Sequence, residues 1–394
     1  METIRLGSVC RKIGSGATPK GGSEVYLSSG ISLIRSQNIY NSGFSRGGLA
    51  HINEYHAHEL DNVTLEPEDI LLNITGDSVA RCCQVSDEIL PARVNQHVSI
   101  IRPDKDILDP RFLRYYLISP SMQAYMLSLS AAGATRNALT KGMIEDFKVP
   151  APPIPEQRAI ADVLGSLDNK IELNRCMNAT LEELVRAIFQ SWFVDFEPFR
   201  SGGMQSTPLG TIPKGWECLT WGNISTLEYG KSLRDYKNAN GPFKVFGTNG
   251  QIGRHTQALW NSEGIVIGRK GAYRGVHYSS DPFFVIDTAF YLKPLKYFSM
   301  KWAYQELIRF DINSMDSGSA IPSTSRQDFY NIPVVFPPEK TMRTYENIVA
   351  PLYAKVNANN EQSRTLAALR DALLPRLMSG EVRVEVGNVA RDVS

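Results

Sequence analysis

The chain has 394 residues, 42% hydrophobic and 21% charged, with a formal net charge of +1. That length exceeds one compact core and implies two or three domains. The composition excludes a disordered chain, and the balanced charge excludes nucleic-acid binding by bulk basicity, leaving local patches as the only route.

Taken in chain order, short β-branched and aromatic runs such as Ile31–Ile34 and Val98–Ile101 lie between Gly, Asn, Asp and Pro clusters and predict strands. Residues 110–126, with Phe112, Leu113, Tyr116 and Leu117, predict a helical patch, and Phe147-Lys148-Val149-Pro150 a closing strand. Pro152-Pro153 then opens a segment without a helix stop from about Glu156 to Trp192. Residues 195–213 read as a linker. Strands at Gly264–Ile267 and Phe283–Ile286, a helical patch over 300–310 and a closing strand at Ile332-Pro333-Val334-Val335 follow. Pro337-Pro338 then opens a second long helix.

The second half therefore repeats the first, about 185 residues on. Lys170-Ile171 falls on Lys355-Val356, Asn174 on Asn359, Leu181 on Leu366, Leu184 on Leu369, Ala187 on Ala372, and Gly133 on Gly318. The fronts align more loosely: Leu6-Gly7-Ser8-Val9 with Trp221-Gly222-Asn223-Ile224, and Ile70-Leu71-Leu72 with Ile265-Val266-Ile267. The first half carries a longer insert before Ile70. The pattern is that of one duplicated unit in an α+β fold with pseudo-two-fold internal symmetry, two strand-rich parts and two long helices packed antiparallel. The helix stripe consists of Ile160, Leu164, Leu167, Ile171, Asn174, Leu181 and Ile188 in the first copy, and Tyr345, Leu352, Val356, Asn359, Leu366 and Leu373 in the second. Such stripes need a partner helix, and an Asn on the stripe either fixes register or faces water. Each rod is on the order of 50 Å long.

The five cysteines, Cys10, Cys82, Cys83, Cys176 and Cys218, are odd in number and form no C-x-x-C pair; they read as free thiols in a reducing cytoplasm. The opening Met1-Glu2-Thr3-Ile4-Arg5 has no apolar signal region. No run reaches the ~18 apolar residues that span a bilayer.

No catalytic constellation is recognisable. Gly247-Thr248-Asn249-Gly250-Gln251-Ile252-Gly253 lacks the dinucleotide-site spacing, and no phosphate-binding G-x-x-x-x-G-K-[ST] loop occurs. Asp281-Pro282-Phe283-Phe284 is reminiscent of a methyltransferase base-gripping loop but lacks its second proline and a cofactor loop, and reads as a strand entry. His51, His56 and His58 have no evident third metal ligand. No catalytic and no metal-binding residue is assigned.

What remains is polar and basic loop material able to contact base edges and phosphates. In the first half it comprises Arg35, Ser36, Gln37, Asn38, Thr75, Arg81, Gln96, His97, Arg136 and Asn137. In the second it comprises Lys231, Arg234, Asn249, Arg254, Arg269, Lys270, Tyr273, Arg274 and Arg326. Any one of these could be a solvated surface residue; the case for DNA rests on their recurrence in matching loops.

Pro152-Pro153-Ile154-Pro155-Glu156-Gln157 running into Leu167-Asp168-Asn169-Lys170-Ile171, with Leu373-Leu374-Pro375-Arg376-Leu377-Met378-Ser379-Gly380 and Phe246-Gly247-Thr248-Asn249-Gly250, resembles the specificity subunit of type I restriction–modification systems over essentially the whole chain. The resemblance implies target-recognition domains at 1–150 and, with a linker, 195–336. It implies spacer helices at 151–194 and 337–380 that form a coiled coil, with a tail at 381–394. Each domain would read one half of a bipartite DNA target in the major groove, and the coiled coil would set the spacing. Two methyltransferase subunits would dock and methylate adenine N6, and two restriction–translocase subunits would join for cleavage. S-adenosylmethionine, ATP and Mg would belong to those partners, with no cofactor on this chain and no membrane association. The second copy departs from the pattern: Pro337-Pro338-Glu339-Lys340 lacks the Glu-Gln pair, and Leu-Asp has become Leu352-Tyr353, so contacts of that motif are expected to differ there. Two other readings stay open on the residues alone: a methyltransferase with its own catalytic site, and an adaptor that reads no DNA.

Overall fold

The computed structural model describes residues 2–131, 138–237, 241–315 and 322–384. The chain divides into two compact units, Met1–Glu172 with Ser363–Ser394, and Leu173–Gln362. Each long helix thus contributes one part to each unit.

The first unit runs β1 (Thr3–Arg5), β2 (Cys10–Ser15), β3 (Ile31–Ile34), β4 (Ile39–Tyr40), β5 (Gly43–Phe44), β6 (Ala50–Ile52), α1 (Glu54–Glu59), β7 (Ile70–Asn73), β8 (Cys82–Gln84), β9 (Ala92–Val94), β10 (Val98–Pro103), α2 (Pro110–Leu117), α3 (Pro120–Ala131), α4 (Lys141–Glu145) and β11 (Lys148–Pro150), then enters α5 (Ile154–Phe189). Its sheets are ordered β2-β10-β7-β8 and β6-β3-β9, with β3 and β9 parallel, and β11 returns to pair with β1. Ile70, Leu72, Cys82 and Ile101 face a core made by α2, α3, α4 and the long helices. Their neighbours Leu71, Cys83 and Ile100 face a second core under the other sheet. A sheet covered on both faces explains why its strands are continuous apolar runs rather than alternating ones.

The second unit runs β12 (Met204–Thr207), β13 (Gly210–Pro213), β14 (Glu217–Thr220), α6 (Trp221–Ile224), β15 (Ser225–Tyr229), β16 (Phe243–Gly247), β17 (Gly250–His255), β18 (Gly264–Gly268), β19 (Val276–Ser279), β20 (Phe283–Val285), β21 (Ala289–Pro294), α7 (Met300–Leu307), α8 (Arg326–Asn331), β22 (Pro333–Phe336) and α9 (Glu339–Ser379). Its sheets β15-β21-β18-β19 and β17-β16-β20, the parallel pair β16–β20 and the closing pair β14–β22 reproduce the first unit strand for strand. Gly7 and Gly222 occupy matching places. A Cβ on Gly7 would meet Glu145 Cβ at 2.8 Å, and one on Gly222 would meet Tyr330 Cβ at 2.9 Å, so the same helix approach demands glycine in both copies. The insert of the first half supplies β4, β5 and α1.

Within each unit the two long helices pack antiparallel. In the second, Asn174 faces Gln362, Asn178 faces Asn359 and Asn360, and Phe189 faces Tyr345, so one number rises as the other falls. In the first, Asp168 meets Arg370, and Ile160 and Leu164 share a core with Leu374 and Leu377. Leu167, Ile171, Leu181, Ile188, Leu352, Val356, Leu366 and Leu373 are half-buried, whereas Tyr345, Asn174 and Asn359 are buried outright. Asn178, also buried, belongs to the same polar layer and lies four residues beyond Asn174 on the same helical face.

The Glu-Gln motif has a structural explanation. Gln157, 1% exposed, accepts from the Asp109 backbone N–H at 2.8 Å and donates to the carbonyls of Ile107 at 3.0 Å and Pro152 at 2.8 Å. It thereby fixes the loop that enters α2, whose N-cap is Asp109. Met342, wholly buried, holds the corresponding position in the second unit, where Ser299 caps α7 and also donates to Glu346. Gln157→Met is expected to cost about 1–3 kcal/mol by stranding those buried groups. A lowered urea midpoint for the first unit, with the second unchanged, is the measurement.

Candidate nucleic-acid interface

Three loops meet in the first unit: the one after β3, the β7–β8 loop and the β9–β10 loop. Asn73 donates through Nδ2 to the Ser36 carbonyl at 2.9 Å, the Ile74 N–H donates to the His97 carbonyl at 3.0 Å, and Thr75 Oγ1 lies 2.7 Å from His97 Nδ1. The result is an open cleft of roughly 420 Å³ lined by Ser36, Gln37, Tyr40, Thr75, Asp77, Ser78, Arg81 and His97. The Arg81 guanidinium lies over the Tyr40 ring at 4.9 Å, an arrangement that orients a cation without consuming its hydrogen-bond donors. Gln96 is exposed at the rim, its Nε2 3.2 Å from His97 Nε2. Arg35 lies over Tyr26 and donates to the Gly48 carbonyl, to which Gln37 also donates.

The same three loops meet in the second unit. Thr248 Oγ1 donates to the carbonyls of Lys270 at 2.7 Å and Thr288 at 3.0 Å, and the Gly275 N–H donates to the Thr248 carbonyl at 3.1 Å. Asn249, Lys270 and Tyr273 are exposed there. Arg269 and Arg326 both lie over the Tyr229 ring, at 4.7 and 5.2 Å. Arg269 donates to the Asp287 carbonyl, and Arg326 to the Tyr330 hydroxyl. Lys231 and Arg234 are exposed after β15. Even the bridges that close the two loop sets correspond, Thr75 with Ala138 and Lys270 with Ser323.

Three further residues expected among the readers also donate to backbone carbonyls. Asn38 is fully buried, with Nδ2 donating to the carbonyls of Ser45 and Gly47. Arg254 donates to the carbonyls of Gly241 and Pro242. Arg274, 4% exposed, donates through Nη2 to the carbonyls of Ile312, Asn313 and Met315. Arg136 and Asn137, like the Gly133–Gly318 match, lie outside the described residues. Tyr40 and Ser78 line the cleft and were not expected. The two-residue strand β4, with Ile39 buried and Tyr40 turned outward, is the signal that identifies the former.

Phe283 and Phe284 are core residues of β20, so Asp281-Pro282 is a strand entry. Burial pushes the thiols of Cys10 and Cys83 up to about 12, leaving them protonated and poor nucleophiles. The imidazole of His277 is lowered by burial. Among the described residues no group of three His, Cys, Asp or Glu side chains could hold a metal, and no helix is long and apolar enough to cross a membrane.

Residues 1–183 match the family described as the type I restriction modification DNA specificity domain. The chain is 28% identical over 324 residues to the type I restriction enzyme MjaIX specificity subunit of Methanocaldococcus jannaschii, covering 75% of this chain and 74% of that protein. It is 21% identical over 439 residues to the HindI specificity subunit of Haemophilus influenzae, covering 89% and 94%. The crystal structure of the type I restriction–modification S subunit from M. genitalium superposes with a TM-score of 0.62 at 18% identity over 95% of each chain, a likeness of fold. With the duplicated sheets, the paired long helices and the matching loop clusters, these findings make the chain similar over most of its length to the specificity subunits of type I restriction–modification systems.

Proposed function

We propose that each strand-rich domain reads one half of a bipartite DNA sequence through its loop cluster, and that the long helices set the unread spacing and dock two methyltransferase subunits. The single observation that carries this reading is the recurrence of one loop arrangement, rich in Arg, Lys, Asn and Gln, on two copies of one sheet topology. Arg81 suits a guanine edge and Asn249 an adenine edge in the major groove. Lys231, Arg234 and Lys270 suit phosphates. Adenine N6 methylation, and cleavage by two added restriction–translocase subunits, would be carried out by the partners. They would hold S-adenosylmethionine, ATP and Mg in the cytoplasm, while this chain supplies no catalytic group and no cofactor.

Replacement of residues 1–150 by those of a relative tests the reading. Methylome sequencing should show one half of the methylated site altered and the other retained; alteration of both halves would defeat the modular scheme. On a finer scale, Arg81→Ala is expected to lose about 1–3 kcal/mol of discrimination at one base pair of one half-site, and Asn249→Ala the same in the other half. Competition gel shifts with single-base variants, run with the methyltransferase present, give both values.

A further inference from the structure

At the tip of the β18–β19 loop the usual partition of side chains is inverted. Arg274 is buried to 4% exposure, while Tyr273 beside it is 80% exposed, the highest value for a large apolar side chain among the described residues. Cations normally face water and aromatic rings the core. The loop is also fastened on both sides of the tyrosine. Gly271 N–H donates to the Pro322 carbonyl at 2.9 Å, Gly275 N–H to the Thr248 carbonyl at 3.1 Å, and Arg274 N–H to Asn313 Oδ1 at 2.8 Å. A Cβ on Gly275 would lie 2.4 Å from His277 Nε2 and 3.1 Å from Asn249 Oδ1, so the loop rests directly against the Asn249 turn. The corresponding loop of the first unit, Thr75 to Arg81, contains no aromatic residue and borders a cleft.

We propose that Tyr273 stacks on a base step of the half-site read by the second domain, so that this domain reads its half through a local unstacking of the duplex while the first does not. The proposal rests on DNA reading by that domain. An exposed ring on an anchored loop that also carries Lys270 and rests against the Asn249 turn is suited to a base face with its phosphate alongside. An anchored backbone means that little ordering entropy is lost on contact.

The test uses duplexes with 2-aminopurine placed at successive positions of both half-sites, bound by the chain with its methyltransferase. One position in the second half-site is expected to brighten with the native chain and with Tyr273→Phe. That brightening should vanish with Tyr273→Ala, whose DNA affinity falls roughly ten-fold. Brightening at the target adenine, caused by the partner's base extrusion, should persist in every variant. Selective binding without any Tyr273-dependent position overturns the proposal and leaves domain reading intact. Loss of methyltransferase assembly by Tyr273→Ala before DNA is added also overturns it, making the ring a protein contact. Absence of selective DNA binding by the native complex removes the proposal together with the reading beneath it.

Discussion

Asp168→Ala is expected to destabilise the first unit by roughly 3–5 kcal/mol, chiefly because it leaves buried Arg114 without its carboxylate, while half-buried Arg370 keeps Asp371 as a partner. Asp168 Oδ2 accepts from Arg114 at 2.8 Å and from the Tyr115 hydroxyl at 2.7 Å, and Oδ1 accepts from Arg370 at 2.7 Å. The side chains of Arg114, Asp168 and Arg370 are 11%, 19% and 18% exposed. The cluster ties α2 to α5 and α5 to the last part of α9. Burial alone would raise the Asp168 carboxyl, but hydrogen bonds from Arg114 and Arg370 hold it below the usual carboxylate range. A carboxyl depressed in the folded state contributes stability that is present above its unfolded value, about 3.9, and is lost as pH falls through the lower folded value. The stability gap between the native chain and Asp168→Asn should therefore be constant from pH 5 to 8 and shrink in stronger acid. Urea titrations of both proteins across that range give the answer; a gap that widens in acid would contradict the cluster. The second unit should be unaffected. There Tyr353 stands in the place of Asp168 and Gln305 in that of Tyr115, joined by a neutral hydrogen bond of 3.0 Å, while buried Lys301 pairs with Glu263 and Glu346. The departure of the second copy from Leu-Asp is thus a change of chemistry within a retained contact.

The helices, the duplication and most central strands were legible because each leaves a periodic or compositional trace. Ile160, Leu164 and Tyr345 mark one face at helical spacing, and all three are buried. Ile70-Leu71-Leu72 and Ile265-Val266-Ile267 are apolar runs, and both become central strands covered on two faces. The return of β11 to β1 was not legible, because pairing across most of a domain is set by the assembled core rather than by any local signal. The loops were legible as places but not residue by residue. Gln37 and Asn38 are adjacent amides with the same chemistry, yet Gln37 lines the cleft while donating to the Gly48 carbonyl, and Asn38 is wholly buried on the carbonyls of Ser45 and Gly47. Tyr273 and Arg274 reverse what polarity alone dictates. In each case the direction of a side chain depends on which neighbouring carbonyls lack a donor, and that is a property of the folded loop.

Replacing Asn174, Asn178 and Asn359 together by leucine is expected to raise the stability of the second unit by roughly 1–4 kcal/mol while loosening the register of its two helices. The three amides are 0%, 9% and 2% exposed in an otherwise apolar stripe. Asn174 Nδ2 donates to Gln362 Oε1 at 2.9 Å, Asn359 Nδ2 to Asn178 Oδ1 at 2.8 Å, and Asn178 Nδ2 to Asn360 Oδ1 at 2.9 Å. Sliding one helix along the other would break all three bonds at once and bury unsatisfied amides at about 1–3 kcal/mol each, a penalty that leucines do not impose. Gln362 and Asn360 are exposed and can turn to water in the variant. If the helices set the spacing of the half-sites, the leucine variant should methylate sites of more than one spacing where the native chain methylates one, despite its higher melting temperature. Methylome sequencing and thermal denaturation of the same protein separate the two effects: a single spacing retained with raised stability would show that the layer contributes polarity without setting register, and lowered stability would show that the amides are a net source of helix pairing.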